Sequence, residues 1–491
     1  MHQPQGGKTL SQPNLSNEHL APTGARQETD PGPAPVEPSA PSATHPALSR
    51  RQFVRVAVAA TTGAVLAACS PSQSKPTSRS GQKVQLVYQD WRTEWFPPMA
   101  QQMLEEFHVA HPNIRVFYVP DPENVEEQML SDMQAGTAPD VFQGCCAHFP
   151  IWAQKGYTLD LRPYVKADLD QATIDDWDPA QYRSFFTKDG RQYGVPKYHG
   201  ALALYYNKDL FDEYGVDYPS DAWSMDQYLA AMKRLTRDRN GDGRIDLWGS
   251  MVDISWERIQ MHVNSWGGHL ADPTDPTRCR MSEPEAMQAF AWLRARMWDD
   301  RVMARLPDVQ KLGTSQAFAA GRIAMVEDGS WALKDILSSA NFRIGVAPFP
   351  VGPVRRVTLA TSDGFGIYAG TKHPDAAWEL IKFLISKDYG RAMARTNFLQ
   401  PARASLVDEW VGYIRQEFPE KTKEMDLAAF ADGHLKGYSV TAEVFANMAD
   451  ARRIAYAAWD RIFTLGQAPV EEMKAVCQQI QEAQTPDGVR G

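Results

Sequence analysis

The sequence has few cysteines, no long apolar run and no cluster of basic residues. Five cysteines in 491 residues are too few for a disulfide-stabilised scaffold. The longest weakly polar run, Val56–Ala68, has 13 residues, whereas a membrane-spanning helix needs about 20. The formal net charge is −9, and no run of Lys or Arg offers a surface for phosphates. Nucleic-acid binding is therefore not expected.

The remaining composition is that of a globular protein rich in aromatic residues. Hydrophobic residues make up 43% and charged residues 23% of the chain, which is ordinary for a soluble protein. At about 150 residues per domain, the length predicts two or three domains. The 14 Trp and 17 Tyr can fill cores, and their rings can also stack on sugars.

Residues 1–68 read as a leader followed by an export signal. Residues 1–48 contain nine prolines and no Phe, Tyr or Trp, so we expect them to be disordered. The pair Arg50-Arg51 before a short apolar run resembles a twin-arginine signal. Leu66-Ala67-Ala68-Cys69 resembles a bacterial lipobox, which implies that Cys69 carries a lipid anchor. Residues 69–82 are rich in Ser, Pro and Gln and predict a flexible tether.

The leader is long for an export signal, since such signals normally begin a few residues before the arginines. A start at Leu48, which a UUG codon could encode, gives the usual spacing. We therefore expect residues 1–47 to be an over-extended gene prediction.

Strands and helices alternate at the start of the mature body. The apolar pattern predicts strands at 84–88, 114–119 and 140–142 and helices at 97–110 and 123–134. Alternating βαβ units predict a mainly parallel α/β sheet. Ligands lie beyond the carboxyl ends of such strands, so the loops at 89–94 and 143–148 are candidate ligand contacts.

Five motifs occur in order along the chain. They are 193–211 (YGVP…ALALYYNKDLF), 264–268 (NSWGG), 320–331 (AGRIAM…GSW), 373–380 (HPDAAWEL) and 401–403 (PAR). Together they resemble the family 1 extracellular solute-binding proteins, the sugar-binding subunits of ABC importers, which are maltose-binding-protein-like.

The resemblance implies a two-lobed periplasmic-binding-protein fold of type II. Each lobe would be a mainly parallel sheet flanked by helices, with the ligand cleft between the lobes. Lobe 1 would comprise 83–197 and 362–399, and lobe 2 would comprise 198–361 and 400–491. Helices at 442–464 and 470–483 would pack on lobe 2.

Trp331 is the strongest candidate for a ligand contact. It follows Gly329-Ser330 in the loop where family members place a stacking tryptophan; packing in the core is the alternative. Asp90, Trp91 and Arg92 lie just beyond the first strand, where charged groups could bind hydroxyls. A capped turn with exposed charges explains these three residues equally well.

Further candidates come from the same resemblance. Trp256 and Glu257 lie in a region from which family members contact ligand. Tyr198 and His199 open the crossing between lobes, although a histidine there can equally be structural. Asp363 is a further candidate: the family pattern usually has Gly there, and its carboxylate could accept hydrogen bonds from hydroxyls. Arg403 in the later loop is the last candidate.

The adjacent Cys145 and Cys146 lie in a segment that resembles a cleft-lining segment of maltose-binding protein. Outside the cytoplasm, they could close a vicinal disulfide that offers a flat apolar patch. Two buried thiols or a metal site are the alternatives. The sequence does not show whether Cys279 and Cys477 pair.

A possible calcium loop occurs at residues 238–246. Its sequence places ligand oxygens on Asp238, Asn240, Asp242, the carbonyl of Arg244, and Asp246. Position 12 is Gly249, so the usual bidentate Glu is missing. A structural Ca²⁺ is expected here, with an ion-free Asp/Gly turn as the alternative, and no other cofactor is expected.

These features predict a binding protein that works outside the cell. It would close its lobes on a sugar or oligosaccharide and deliver it to ABC importer permease subunits. We expect a monomer held at the membrane by its lipid anchor. No G-x-S-x-G, H-E-x-x-H or Walker loop supports an enzyme. A secreted calcium-binding polysaccharide-active enzyme and a sugar sensor without transport are the alternatives.

Overall fold

A computed structural model describes residues 83–146 and 148–484. The predicted leader, the export signal, the lipidation site Cys69 and the tether lie outside these residues, as do residues 485–491.

Strands and helices alternate as predicted up to the third strand, and four helices then precede the fourth. These elements are β1 (Val84–Asp90), α1 (Phe96–Ala110), β2 (Ile114–Pro120), α2 (Val125–Ala135), β3 (Val141–Gly144), α3 (His148–Gln154), α4 (Arg162–Asp168), α5 (Gln171–Asp175), α6 (Pro179–Ser184) and β4 (Val195–Pro196).

The central part of the chain contains shorter strands. Its elements are β5 (Leu202–Asn207), α7 (Lys208–Tyr214), α8 (Met225–Leu235), β6 (Ser250–Met251), α9 (Trp256–Ser265), α10 (Pro284–Trp298), β7 (Met303–Ala304), α11 (Thr314–Ala319), β8 (Met325–Gly329), α12 (Leu333–Ser339) and β9 (Ile344–Ala347).

The last part of the chain is mostly helical. It contains β10 (Thr358–Leu359), β11 (Gly364–Ile367), α13 (Pro374–Leu384), α14 (Lys387–Asn397), α15 (Val407–Glu417), α16 (Pro419–Thr422), α17 (Asp432–Lys436), β12 (Ser439–Val440), α18 (Met448–Trp459) and α19 (Glu472–Ala483). Short 3₁₀ turns occur in the central part at Leu306–Val309 and Ser330–Ala332 and in the last part at Ala404–Leu406 and Leu427–Phe430.

Helix α1 illustrates how the apolar pattern builds the first core. Prolines at its first positions suit the helix start, because the amide they lack has no intrahelical acceptor there. Phe96, Met103, Leu104 and Phe107 recur at helical spacing and are all buried. They pack with the buried face of β1 and with α13 in one cluster. Burial of this face, more than local propensity, stabilises the helix.

Two sheets form the body of the protein. The first has the strand order β2-β1-β3-β11-β4, with β1, β2 and β3 parallel and β11 antiparallel to both β3 and β4. The second has the order β8-β5-β9, and both of its pairings are antiparallel. The expectation of a mainly parallel sheet in each lobe is therefore wrong for the second sheet. The βαβ alternation ended near residue 142, so the sequence pattern did not constrain these strands.

Three segments connect the region of the first sheet to that of the second. We call 197–201, 359–363 and 397–401 the crossing segments. They lie side by side, since the amide of Thr361 donates to the carbonyl of Gly200 at 2.7 Å and that of His199 donates to the carbonyl of Gln400 at 2.9 Å. The side chain of Gln181 joins two of them by donating to the carbonyls of Tyr198 and Thr361.

The C-terminal helices pack on the core that contains the second sheet. Helix α18 begins at Met448, later than the predicted 442, because the side chain of Asn447 accepts from the amide of Asp450 and caps the helix there. A π-helical turn at Asp460–Thr464 continues α18 to the predicted end. Helix α19 is bonded to the loop before α10 by the disulfide Cys279–Cys477. In the described part of the chain, no helix is both long and apolar enough to cross a membrane.

Replacing both Cys279 and Cys477 by serine should lower stability without removing the fold. The disulfide closes a loop of 198 residues, and such cross-links typically contribute about 2–4 kcal/mol by restricting the unfolded chain. Urea unfolding of the double variant and of the oxidised wild type measures this difference. Equal stabilities would show that the cross-link does not restrict the unfolded ensemble.

Candidate functional site

A cavity of about 430 Å³ lies beside the crossing segments. Its wall comes from both sheets' regions and combines aromatic rings, carboxylates and small polar groups. The lining residues are Trp91, Thr93, Trp95, Cys145, Cys146, Tyr198, Glu257, Arg258, Trp331, Asp335, Leu359, Ala360, Thr361, Ser362, Asp363, Asn397, Leu399 and Ala442. Apolar walls with a few convergent polar groups are typical of small-molecule sites.

Trp331 lies in the 3₁₀ turn after β8 and lines this cavity. Its ring occupies space left by two glycines: a Cβ on Gly329 would come within 2.2 Å of the ring, and one on Gly200 within 3.1 Å. The ring packs at the edge of three apolar clusters and remains partly exposed. The Gly-Ser-Trp motif therefore places a flat indole at the junction between the two sheet regions.

Trp91 lines the same cavity from the end of β1 and is held there by a buried ion pair. The ammonium of Lys197 bonds to the carboxylate of Asp90, and both side chains are fully buried. The same ammonium lies 3.1 Å from the centre of the Trp91 ring, a cation–π contact. Asp90 also accepts from the Trp91 amide at 2.7 Å and from the Tyr88 hydroxyl. Asp90 thus positions Trp91 from beneath and does not line the cavity.

Asp363 brings a buried carboxylate to the cavity wall. It accepts from the side-chain amide of Gln143 at 3.1 Å. Burial raises its pKa from the ordinary 3.8 to about 6, and the charge of Asp90 adds to the shift, while hydrogen bonding from Thr361 and the charge of Lys197 oppose it. Burial also raises the pKa of Glu257. The cavity therefore holds carboxyl groups whose protonation changes at higher pH than usual.

Cys145 and Cys146 line the cavity at the end of β3. Their sulfur atoms lie 2.7 Å apart, and both cysteines are free thiols in this structure. Which of a vicinal disulfide, two thiols or a metal site the pair forms in the exported protein stays a prediction. The hydrogen bond to Cys145 is the main cause that raises the pKa of Cys146 well above its usual value, and burial raises it further.

The structure places four other candidates away from the cavity. Arg92 is exposed and pairs with Glu123 at 3.3 Å. Trp256 is in the core, where its indole donates to the carbonyl of Glu443 at 3.0 Å. Arg403 is buried, and its guanidinium donates to the carbonyls of Thr173 and Ile385. None of these three side chains lines the cavity, and their partners lie outside its lining as well.

His199 is the fourth of these. Its backbone belongs to a crossing segment, but its ring is buried and bonds to Asp178 at 3.0 Å. Extended backbone directs adjacent side chains to opposite sides, so Tyr198 reaches the cavity while His199 does not.

Several lining residues were missed by the sequence analysis. Thr93 belongs to the loop at 89–94 that was predicted to contact ligand, and Trp95 directly follows that loop. Arg258 follows Glu257, and Asp335 lies one helical turn after Trp331. Asn397 ends α14 at the third crossing segment, which only the fold brings to this place.

A second cavity, of about 920 Å³, adjoins the first at Ala442. One wall comes from the region of the first sheet, including Arg183 and Asp189, and the other from residues such as Gln260, Asn264 and Glu443. This space is more polar than the first cavity. The two cavities together offer more room for a ligand than the first cavity alone.

The proposed calcium loop at 238–246 is closed by its own hydrogen bonds. The carboxylate of Asp238 accepts from the amides of Gly241 and Gly243, the side-chain carbonyl of Asn240 from the amide of Asp242, and the Asp242 carboxylate from the amide of Arg244. Asp246 pairs with Arg239 instead. These oxygens therefore have protein partners, and calcium binding stays a prediction.

Asp363→Asn should change how stability depends on pH. Because the folded protein holds the Asp363 proton more tightly than the unfolded chain, this group contributes stability below about pH 4 that is lost as pH rises through about 6. The shift from 3.8 to about 6 corresponds to about 3 kcal/mol. Between about pH 4 and pH 7, the free energy of unfolding of the variant should therefore rise by about 3 kcal/mol relative to that of wild type.

Urea unfolding of both proteins at the two pH values measures this gain. Asp335→Asn, which removes an exposed carboxylate from the same cavity wall, is the matched control and should show no comparable gain. A pH-independent difference between Asp363→Asn and wild type would contradict the assignment.

Comparison with known proteins relates this architecture to a family. The family model described as bacterial extracellular solute-binding protein matches residues 91–391. A putative binding protein of Brucella abortus is 24% identical over 296 residues, which cover 60% of this chain and 69% of that protein. The maltodextrin-binding protein of Bacillus subtilis is 24% identical over 342 residues, or 65% of this chain and 72% of that protein.

A solved structure has the same fold. It is an ABC substrate-binding protein from Listeria monocytogenes in complex with cycloalternan, with a TM-score of 0.70 and 22% identity over 82% of this chain and 99% of that chain. The two-lobed α/β fold predicted from the sequence is thereby confirmed. With a family match that spans most of the described residues, the chain belongs to the bacterial extracellular solute-binding proteins.

Proposed function

We propose that the protein binds a sugar or oligosaccharide outside the cell and delivers it to the permease of an ABC importer. The observation that carries this proposal is the composition of the cavity wall. Trp91, Trp95, Tyr198 and Trp331 supply ring faces, while Glu257 and Asp363 supply carboxylates. A sugar needs both, since its ring faces are apolar and its hydroxyls need partners when water is excluded.

The position of the cavity supports binding by closure of the lobes. Trp91 and the Cys145-Cys146 pair follow strands of the first sheet, whereas Trp331 follows β8 of the second. A ligand that contacts both walls favours the state in which the walls approach. The names of relatives agree, since one is a maltodextrin-binding protein and a similar structure contains cycloalternan.

The extended site favours an oligosaccharide over a single sugar. The first cavity provides the aromatic wall, and the second continues past Ala442 with polar side chains. A glucose unit would occupy the first cavity, and further units would follow into the second. The site would bind without cleaving, as expected for a family of binding proteins.

Attachment at the membrane completes the proposal. Export by the Arg50-Arg51 signal and lipidation of Cys69 would hold a monomer on the outer face of the cytoplasmic membrane, near its permease. The tether at 69–82 would let the folded body reach that permease.

Calorimetric titration with glucose, maltose, maltotriose and cycloalternan tests the ligand class. We expect saturable binding of one ligand per chain, with affinity increasing from glucose to maltotriose. Chromatography of the same mixtures should show unchanged sugars. Absence of binding across this panel would contradict an α-glucan ligand, and release of smaller sugars would contradict binding without turnover.

Trp331→Ala should weaken the binding of any sugar that the panel identifies. Loss of a central aromatic anchor typically costs about 2–4 kcal/mol of binding free energy, or about 30- to 1000-fold in Kd. The melting temperature should stay near that of wild type, because the ring is only partly buried. A core role would instead cost about 3–5 kcal/mol of stability.

Trp292→Ala is the matched control for this measurement. Trp292 is a partly buried tryptophan on α10 that stacks on His262 and does not line the cavity. Its replacement should leave sugar affinity unchanged. Equal affinity of Trp331→Ala and wild type would remove Trp331 from the site.

A further inference from the structure

We propose that Asp178, His199 and His434 form a binding site for a divalent transition metal ion, with Zn²⁺ as the best match. This cluster lies beside the crossing segments and outside the sugar-binding cavity proposed above. Two imidazoles and one carboxylate suit Zn²⁺ and its neighbours in the first transition series, whereas Ca²⁺ and Mg²⁺ prefer oxygen ligands alone.

The three side chains already converge. One ligand atom from each lies within 4.8 Å of the other two, and Nε2 of His199 is 3.0 Å from Oδ2 of Asp178. Metal–ligand distances of about 2.0–2.2 Å in a tetrahedral site place the ligand atoms about 3.4 Å apart. Asp178 and His199 are thus close to that spacing, and His434 needs only a small movement. His434 is partly exposed, so its ring has room to move.

The carboxylate is oriented by groups that would form the outer shell of such a site. Oδ1 of Asp178 accepts from the amides of Ala180 and Gln181 at the start of α6. Oδ2, the oxygen nearest His199, also accepts from the Ser439 hydroxyl at 2.7 Å. Outer-shell hydrogen bonds of this kind fix the direction of a ligand and strengthen metal binding.

The charge balance of the cluster favours a cation. The side chains of Asp178 and His199 are each 1% exposed, and the ion pair recorded for Asp178 among the described residues is with His199. A buried carboxylate without a permanently charged partner is costly. A divalent cation bound between Asp178 and the two histidines would supply that partner.

A second buried histidine–carboxylate pair occurs in the described part of the protein, but there it lacks the third ligand that the Asp178, His199 and His434 cluster has. His262 lies 3.0 Å from Glu327, and both side chains are fully buried. No third His, Cys, Asp or Glu joins that pair, since Asp178, His199 and His434 are the only such group within the described residues. One transition metal ion per chain is therefore expected.

Calorimetric titration of the full chain, produced without a histidine tag and stripped with a chelator, tests the proposal. ZnCl₂ should bind with a stoichiometry of one, and Co²⁺ should give a visible absorption band of a four-coordinate site. His434→Gln and His199→Gln should each weaken Zn²⁺ binding by at least the roughly 10- to 100-fold loss that outer-shell changes cause.

His373→Gln is the matched control, because His373 is an exposed surface histidine and its removal should leave Zn²⁺ affinity unchanged. Since His434 is partly exposed, its variant should fold even if His199→Gln does not. Wild type that binds no Zn²⁺, or His434→Gln that binds it as tightly as wild type, overturns the proposal. Neither result bears on sugar binding, which the sugar titration measures separately.

Discussion

The buried ion pair between Asp90 and Lys197 is the interaction on which the candidate site depends. It joins the end of β1 to the first crossing segment, and it presses the ammonium against one face of the Trp91 ring. Breaking such a pair from one side typically costs about 3–5 kcal/mol, because the other charge stays buried without a partner. The pair therefore holds one wall of the cavity in a fixed relation to the chain segment that leads to the other wall.

The part of the wall that contains Trp331 is fixed by close packing against glycines and not by an ion pair. Gly200 and Gly329 leave the space that the Trp331 ring occupies, so the indole lies against backbone. The site thus contains one tryptophan held by a cation and another held by close packing. The carboxyl group of Asp363 lines the same cavity in a buried position that is costly for its charged form. Functional sites typically keep such energetically unfavourable features, which the rest of the fold offsets.

The parts predicted from the sequence were those with local signals. The alternating apolar pattern gave β1, α1, β2 and β3, and the Gly-Ser-Trp motif brought Trp331 to the cavity. The roles of Trp256 and Arg403 were not predictable, because their partners Glu443 and Thr173 lie far away in the chain. The direction of β5, β8 and β9 was likewise set by tertiary pairing. Residues adjacent in sequence, such as Tyr198 and His199, were separated by strand geometry that motif matching does not resolve.

The place of β11 between β3 and β4 has a consequence for how the chain folds. Both neighbours precede it by a long stretch of sequence, so their facing edges stay unpaired until residues 364–367 arrive. Contacts between distant segments slow folding, and open strand edges invite pairing with other chains in the meantime. During synthesis, the first sheet can close only after most of the second region has been made. A nascent chain of this protein should therefore depend on chaperones until that point.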